Sequence, residues 1–241
     1  MSCRHLPPVP AEPLLPPGPR HSPAVLLEIP MNRRAALIRL AASGVAIAGV
    51  PALLGARPAF AVETGADAVL NDPEAPNAGN PKGDVTIAAF LDYNCPYCKK
   101  AAPDLARIVK TDGKIRLVYK DWPILGDASV YGAQLALAAH YQGKYEAAHH
   151  ALMTLPSMRI PKDKILGAIQ AAGVEMPRLQ ADLKAKSEAI TALLRRNLAQ
   201  ADAIGLEGTP AYLVGPFRTA ALDYAGFKQV VADARARQAG K

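Results

Sequence analysis

The chain has 241 residues, half of them hydrophobic and a fifth charged, with a formal net charge of +7 at pH 7. It is long enough for one domain with a sizeable core. The positive balance belongs to the first 61 residues, which hold six Arg and two acidic side chains; the remainder carries 22 basic against 19 acidic residues, a formal +3 that gives little support for nucleic-acid binding.

Residues 1–30 contain nine prolines and show neither period two nor period 3.6, so no fold is expected there. Residues 31–61 have the build of an export signal peptide: Arg33, Arg34 and Arg39 at the start, an apolar stretch from Leu40 to Leu54, and Ala59-Phe60-Ala61 as a small-x-small cleavage site. The apolar part is interrupted by Pro51 and is short for a bilayer span. The adjacent arginines resemble a twin-arginine signal, with the general secretory route as the alternative. A signal belongs at the start of a chain, so Met31 is the expected first residue, and residues 1–30 are either a gene-boundary artefact or a Pro-rich extension. Cleavage after Ala61 removes Cys3 and leaves two cysteines, Cys95 and Cys98, in an oxidising compartment, with the periplasm as the expected location.

Residues 62–83 carry Asp72-Pro73, Ala75-Pro76 and Asn80-Pro81, and read as a lead-in rather than a helix. Val85 to Leu91 is apolar on both faces, as in a strand of a covered parallel sheet. Asn94 is the expected N-cap of a helix that runs on from the cysteines, with Leu105, Ile108 and Val109 on its inner face and Pro103 as a kink. Lys114 to Lys120 alternates and makes a second strand, joined to the first by a parallel crossover.

From 127 to 204 the pattern is helical: Ser129–Tyr141, Lys144–Leu155, Pro161–Ala172, then a long helix with Ile190, Leu193, Leu194, Leu198 and Ala201 inside and Arg195 and Arg196 outside. A strand returns at Ala211–Val214, followed by a short Phe217–Ala221 and a helix over Tyr224–Arg237. The organisation is an α/β unit, residues 84–126 and 205–241, split by a helical insertion at 127–204.

Two cysteines three apart can hold a metal, form a staple or pass electrons. A zinc site needs about four ligands, and adjacent His149 and His150 point about 100° apart on a helix, so they do not chelate together; no metal is expected. The loop is too small to stabilise a domain by chain entropy. Electron transfer suits the position better: Cys95 follows a strand and opens a helix, where free N–H groups and the helix dipole favour a thiolate. Cys95 is then the attacking sulfur, and Cys98, one turn on, resolves the mixed disulfide.

A strand, CxxC at a helix start, a helical insertion and Gly208-Thr209-Pro210 before a strand resemble the thioredoxin superfamily, and specifically the DsbA-like thiol-disulfide oxidoreductases. NDPEAPNAGNPKGDVTIAAFLDYNCPYC, KDWPILGDAS and QGKYEAAHHALM look like its suppressor-of-copper-sensitivity branch. The resemblance implies an α/β thioredoxin fold with an inserted α-helical domain. It makes Cys95 and Cys98 catalytic, gives Pro96 and Tyr97 the tuning of redox potential, and puts a cis Pro210 opposite the cysteines. Thr209 then offers backbone groups to an extended substrate.

The resemblance implies no cofactor beyond the redox-active disulfide itself. Its partners are secreted or periplasmic cysteine-containing proteins and a membrane redox partner: a DsbB-like oxidant for an oxidase, a DsbD-like reductant for an isomerase or reductase. The lead-in is too short for an oligomerisation stalk, which favours a monomeric oxidase. A holdase or a Cu(I)-binding protein is the reading from another class. One departure stands out: many relatives carry a buried Glu six residues before the first cysteine, and here that position is Ala89. Lys99 and Lys100 either favour the thiolate or are simply solvated.

Overall fold

The structure, a computed structural model, describes residues 64–156 and 158–240. The Pro-rich start, Cys3, Met31 and the export signal with its cleavage site lie outside the described residues. Among those described, five strands form one sheet in the order β1-β3-β2-β4-β5. They are β1 (Asn77–Gly79), β2 (Val85–Leu91), β3 (Ile115–Asp121), β4 (Ala211–Val214) and β5 (Phe217–Thr219). β2 and β3 run parallel, and every other neighbouring pair is antiparallel.

β2 is apolar on both sides because both faces of the sheet are covered. Ile87, Ala89 and Leu91 join the larger core with Leu105, Ile108 and Val109 of α2 (Pro96–Asp112) and with Phe227, Val231 and Ala234 of α8 (Tyr224–Ala239). Ala88 and Phe90 face the opposite way, onto a smaller core with Val118, Trp122, Leu213 and Ala201. α2 runs unbroken through Pro103 and ends on Gly113, whose φ of 69° is the left-handed turn a C-terminal glycine adopts without Cβ strain.

Between β3 and β4 the chain forms α3 (Asp127–His140), α4 (Tyr145–Thr154), α5 (Lys162–Ala171), α6 (Met176–Ala185) and α7 (Ser187–Ala203). Four of these were legible as helical patterns; α6 was not, because it buries Leu179 alone and so lacks a periodic stripe.

Two expectations are corrected. The lead-in is not free of helix: it forms α1 (Ala66–Leu70) before pairing β1 antiparallel to β3. Elements this short have no periodicity to read. The inner face of α7 also differs. Leu198 is 45% exposed, while Asn197 and Gln200 are buried and Arg196 turns in to ion-pair with Asp72. The reason is a charge on the sheet: Lys120 is fully buried, its Nζ donating to Asp72 at 2.5 Å and to Gln200 Oε1 at 2.7 Å. A buried ammonium must be met by polar partners, so α7 presents them in place of leucine.

Candidate active site

β2 ends at Leu91, and Asp92-Tyr93-Asn94 carries the chain to the cysteines at the start of α2. The N-cap is Cys95, not Asn94: Cys95 Sγ accepts from the Cys98 backbone N–H at 3.4 Å. Asn94 is instead spent on tertiary bonds, its amide donating to Ser129 Oγ at 2.9 Å and accepting from the Ile160 N–H at 3.4 Å. From the far side of the sequence, the Thr209 carbonyl accepts from the Cys95 thiol at 3.1 Å, and the Thr209–Pro210 peptide bond is cis. Cys95, Cys98 and Thr209 are thus brought together, and Pro96, Tyr97 and Thr209 line one groove with Cys95.

The two sulfurs sit in unlike surroundings. Both are free thiols. Hydrogen bonding with Cys98 pulls the Cys95 pKa down to about 5, against the opposing effect of burial, with help from the Thr209 side chain and the Cys98 and Tyr97 backbone. Burial pushes Cys98 far above the ordinary thiol range, and the neighbouring Cys95 adds to it. At neutral pH this is one thiolate beside one thiol. The two lysines divide as well. Lys100 is exposed, whereas Lys99 donates to the Leu152 carbonyl of α4 at 2.6 Å, and burial brings its pKa down to about 8.

Beside Cys95 lies an apolar groove of about 570 Å³. Tyr97 and Met158 are each 66% exposed on it, and Ile124 and Leu125 are 41% and 49% exposed. Large apolar side chains held in solvent around a reactive sulfur are the composition of a binding surface.

Ala89 is fully buried, so the acid missing there has no side-chain replacement on β2 at that position. A carboxyl does sit in the same core from the neighbouring strand. Asp121 Oδ2 accepts from Tyr145 Oη at 2.9 Å, and Tyr145 accepts from Tyr93 Oη at 3.4 Å. Tyr93 Oη also lies within hydrogen-bond reach of His149 Nδ1, at 3.1 Å. Burial raises the Asp121 pKa to about 7 and lowers that of His149 to about 3. His149 is buried and His150 exposed.

Asp121 has a stability consequence. Its folded pKa lies above the unfolded carboxyl value of about 4, so the native state binds the extra proton and stability falls as pH rises from about 4 to about 7. Asp121→Asn removes that loss. The variant should match the wild type near pH 4 and exceed it by about 1–3 kcal/mol at pH 8 in guanidinium unfolding. His149 titrates with the opposite sign in both proteins and cancels from the difference. A variant less stable than the wild type at pH 8 would refute this.

Sequence reading missed Asp92, Tyr93, Ser129 and Asp121. The available signal was an acidic residue abutting an apolar strand, at Leu91-Asp92 and again at Lys120-Asp121, where solvent exposure cannot be assumed. Among the described residues, no three His, Cys, Asp or Glu side chains gather as metal ligands.

Residues 71–233 match the family model described as thioredoxin. The chain belongs to the thioredoxin family. A thioredoxin-like oxidoreductase from Silicibacter pomeroyi DSS-3 is similar over 70% of this chain and 97% of its own, with 40% identity and a TM-score of 0.66. The thiol-disulfide exchange protein alpha-DsbA2 of Wolbachia pipientis is 27% identical, with 69% and 90% of the two chains covered and a TM-score of 0.66. The catalytic domain of Proteus mirabilis ScsC is 26% identical over 70% and 94%, with a TM-score of 0.64. These likenesses group this thioredoxin-family member with the DsbA-like proteins.

The curated relatives that match are longer proteins. The Na(+)/H(+) antiporter NhaA 1 of Salinispora arenicola is 27% identical over 147 residues, 59% of this chain and 22% of the antiporter. NhaA 3 of Salinispora tropica is 28% identical over 70% of this chain and 27% of the antiporter. The chain therefore spans about a quarter of the length of the curated relatives it matches.

Proposed function

We propose that this protein is an exported thiol-disulfide oxidoreductase that donates the Cys95–Cys98 disulfide to cysteine-containing proteins of the periplasm. The observation that carries the reading is the asymmetry of the pair: a Cys95 pKa near 5 beside a buried, protonated Cys98, with Thr209 against the reactive sulfur. In the oxidised protein a substrate thiolate attacks Cys95 Sγ, the Cys95–Cys98 bond breaks, and Cys98 leaves and takes up a proton. A second substrate thiolate then attacks the substrate sulfur of the mixed disulfide. The substrate is oxidised by two electrons, and Cys95 leaves as a thiolate. A leaving thiol of low pKa departs faster, and a stabilised thiolate favours the reduced protein, so both effects support the oxidising direction.

Residues 31–61 supply the export signal in this reading, and a DsbB-like membrane oxidant takes the two electrons back. No helix among the described residues is long and apolar enough to cross a membrane. The test is Cys98→Ala, which keeps the attacking sulfur and removes the resolving one. It should accumulate mixed disulfides with secreted proteins through Cys95, visible as higher-mass adducts that dithiothreitol releases. An absence of adducts counts against every exchange reading. Equilibration with glutathione decides the direction: a strongly oxidising potential fits the oxidase, and a mostly reduced protein in cells fits the isomerase or reductase with a DsbD-like partner.

A further inference from the structure

We infer that Asp92 is the positioning residue that holds the apolar wall of the groove in register with Cys95, and so sets the preference for substrate segments with apolar side chains beside the cysteine. The inference rests on the exchange reading above. Asp92 is 1% exposed. Its Oδ1 accepts from the Asn94 N–H at 2.7 Å and from Ser129 Oγ at 2.7 Å. Its Oδ2 accepts from the Ile124 N–H at 2.8 Å and the Leu125 N–H at 3.0 Å. Its main chain reaches the reacting pair: the Asp92 carbonyl accepts from the Cys95 N–H at 3.1 Å, and the Asp92 N–H points at Cys98 Sγ at 3.5 Å. One residue thus touches the cysteine loop on one side and the wall on the other.

The wall needs such a tether. After Trp122, whose N–H still donates to the Leu91 carbonyl at 2.8 Å, the chain leaves the sheet. Pro123 has no N–H to give, and Gly126 turns with a φ of 96°. Ile124 and Leu125 keep their side chains in the groove while their amides donate to the buried carboxylate, and hydrogen bonds to an ionised acceptor are the strong ones. Only a carboxylate can accept from both sides at once. In Asp92→Asn the amide group must face either the Asn94 N–H or the Ile124 and Leu125 N–H pair, donor against donor. Either orientation breaks the link between wall and cysteine loop, whichever half stays bound.

The experiment compares oxidation of a dithiol peptide carrying Leu and Phe beside its cysteines with oxidation of dithiothreitol, which is too small to use the wall, for the full chain and for Asp92→Asn, with glutathione disulfide supplied to reoxidise the protein between turnovers and the rate without protein subtracted. The expected result is a drop of about tenfold in the peptide-to-dithiothreitol ratio of kcat/KM, carried by KM for the peptide, as the loss of one or two charged hydrogen bonds implies. Should Asp92→Asn fold poorly by circular dichroism, Ser129→Ala strips a single donor from the same carboxylate and should lower the ratio about threefold in the same sense. An unchanged ratio in the folded variant, or an equal fall for both substrates, overturns the inference, the second by showing that Asp92 serves the cysteines alone. A wild type that oxidises neither substrate fails the exchange reading itself, and this inference with it.

Discussion

Cys95→Ser will reduce thiol-disulfide exchange to the uncatalysed level, and in the wild type the alkylation of Cys95 by iodoacetamide will stay flat from pH 8 down to about 6 and then fall tenfold per unit below about 5. The thiolate is the reacting species, and its pKa here is about 5 against about 8.5 for an ordinary thiol. Cys98, held far above the ordinary range, should remain unmodified across the same window. The same ionisation enters stability. The folded pKa of Cys95 is depressed, so it contributes stability to the reduced protein that is fully present above the unfolded thiol value, about 8.5, and is lost as pH falls toward 5. The oxidised protein has no thiol to titrate. The excess stability of the reduced over the oxidised form should therefore shrink steadily from pH 8 to pH 5 in paired denaturation curves. An alkylation profile centred near pH 8 or 9 would show that the hydrogen bonds around Cys95 do not favour its thiolate.

Asp72→Ala carries the largest expected stability loss. Asp72 accepts from Lys120 at 2.5 Å and from Arg196 Nε and Nη2 at 3.0 Å each, tying the lead-in to β3 and α7. Removing it leaves the fully buried Lys120 ammonium with Gln200 but no carboxylate, a broken buried ion pair that costs about 3–5 kcal/mol. In a domain of this size the melting temperature should drop by roughly 10 °C or more. Adding Lys120→Met should restore most of the loss, because an apolar side chain of similar volume leaves no charge to desolvate and such replacements are often close to neutral. A single Asp72→Ala variant within about 1 kcal/mol of the wild type would mean that the ammonium reaches water by another route.

Val85–Leu91, the helix after the cysteines, Ala211–Val214 and the closing helix were all legible, because a strand covered on both faces prints a short continuous apolar run and a half-buried helix prints a period of 3.6 directly into the chain. The cysteine pair at a helix start was legible too, and with Gly208-Thr209-Pro210 it pointed to the right family. The polar positions were harder. Arg196 read as solvent-facing and Leu198 as core, and the two are reversed by a lysine that sits 76 residues earlier in the chain than Arg196.

The sequence by itself determined the α/β class, the longer strands and helices apart from α6, and the placement of Cys95 at the opening of α2, since each depends on residues within a few positions of one another. Only the tertiary structure decided what surrounds the sulfurs. Cys95 rather than Asn94 caps α2, and Asp92 collects its donors from 94, 124, 125 and 129. Thr209 meets a cysteine 114 residues away. A buried polar group must find partners wherever closure of the fold supplies them, and no local period records that choice.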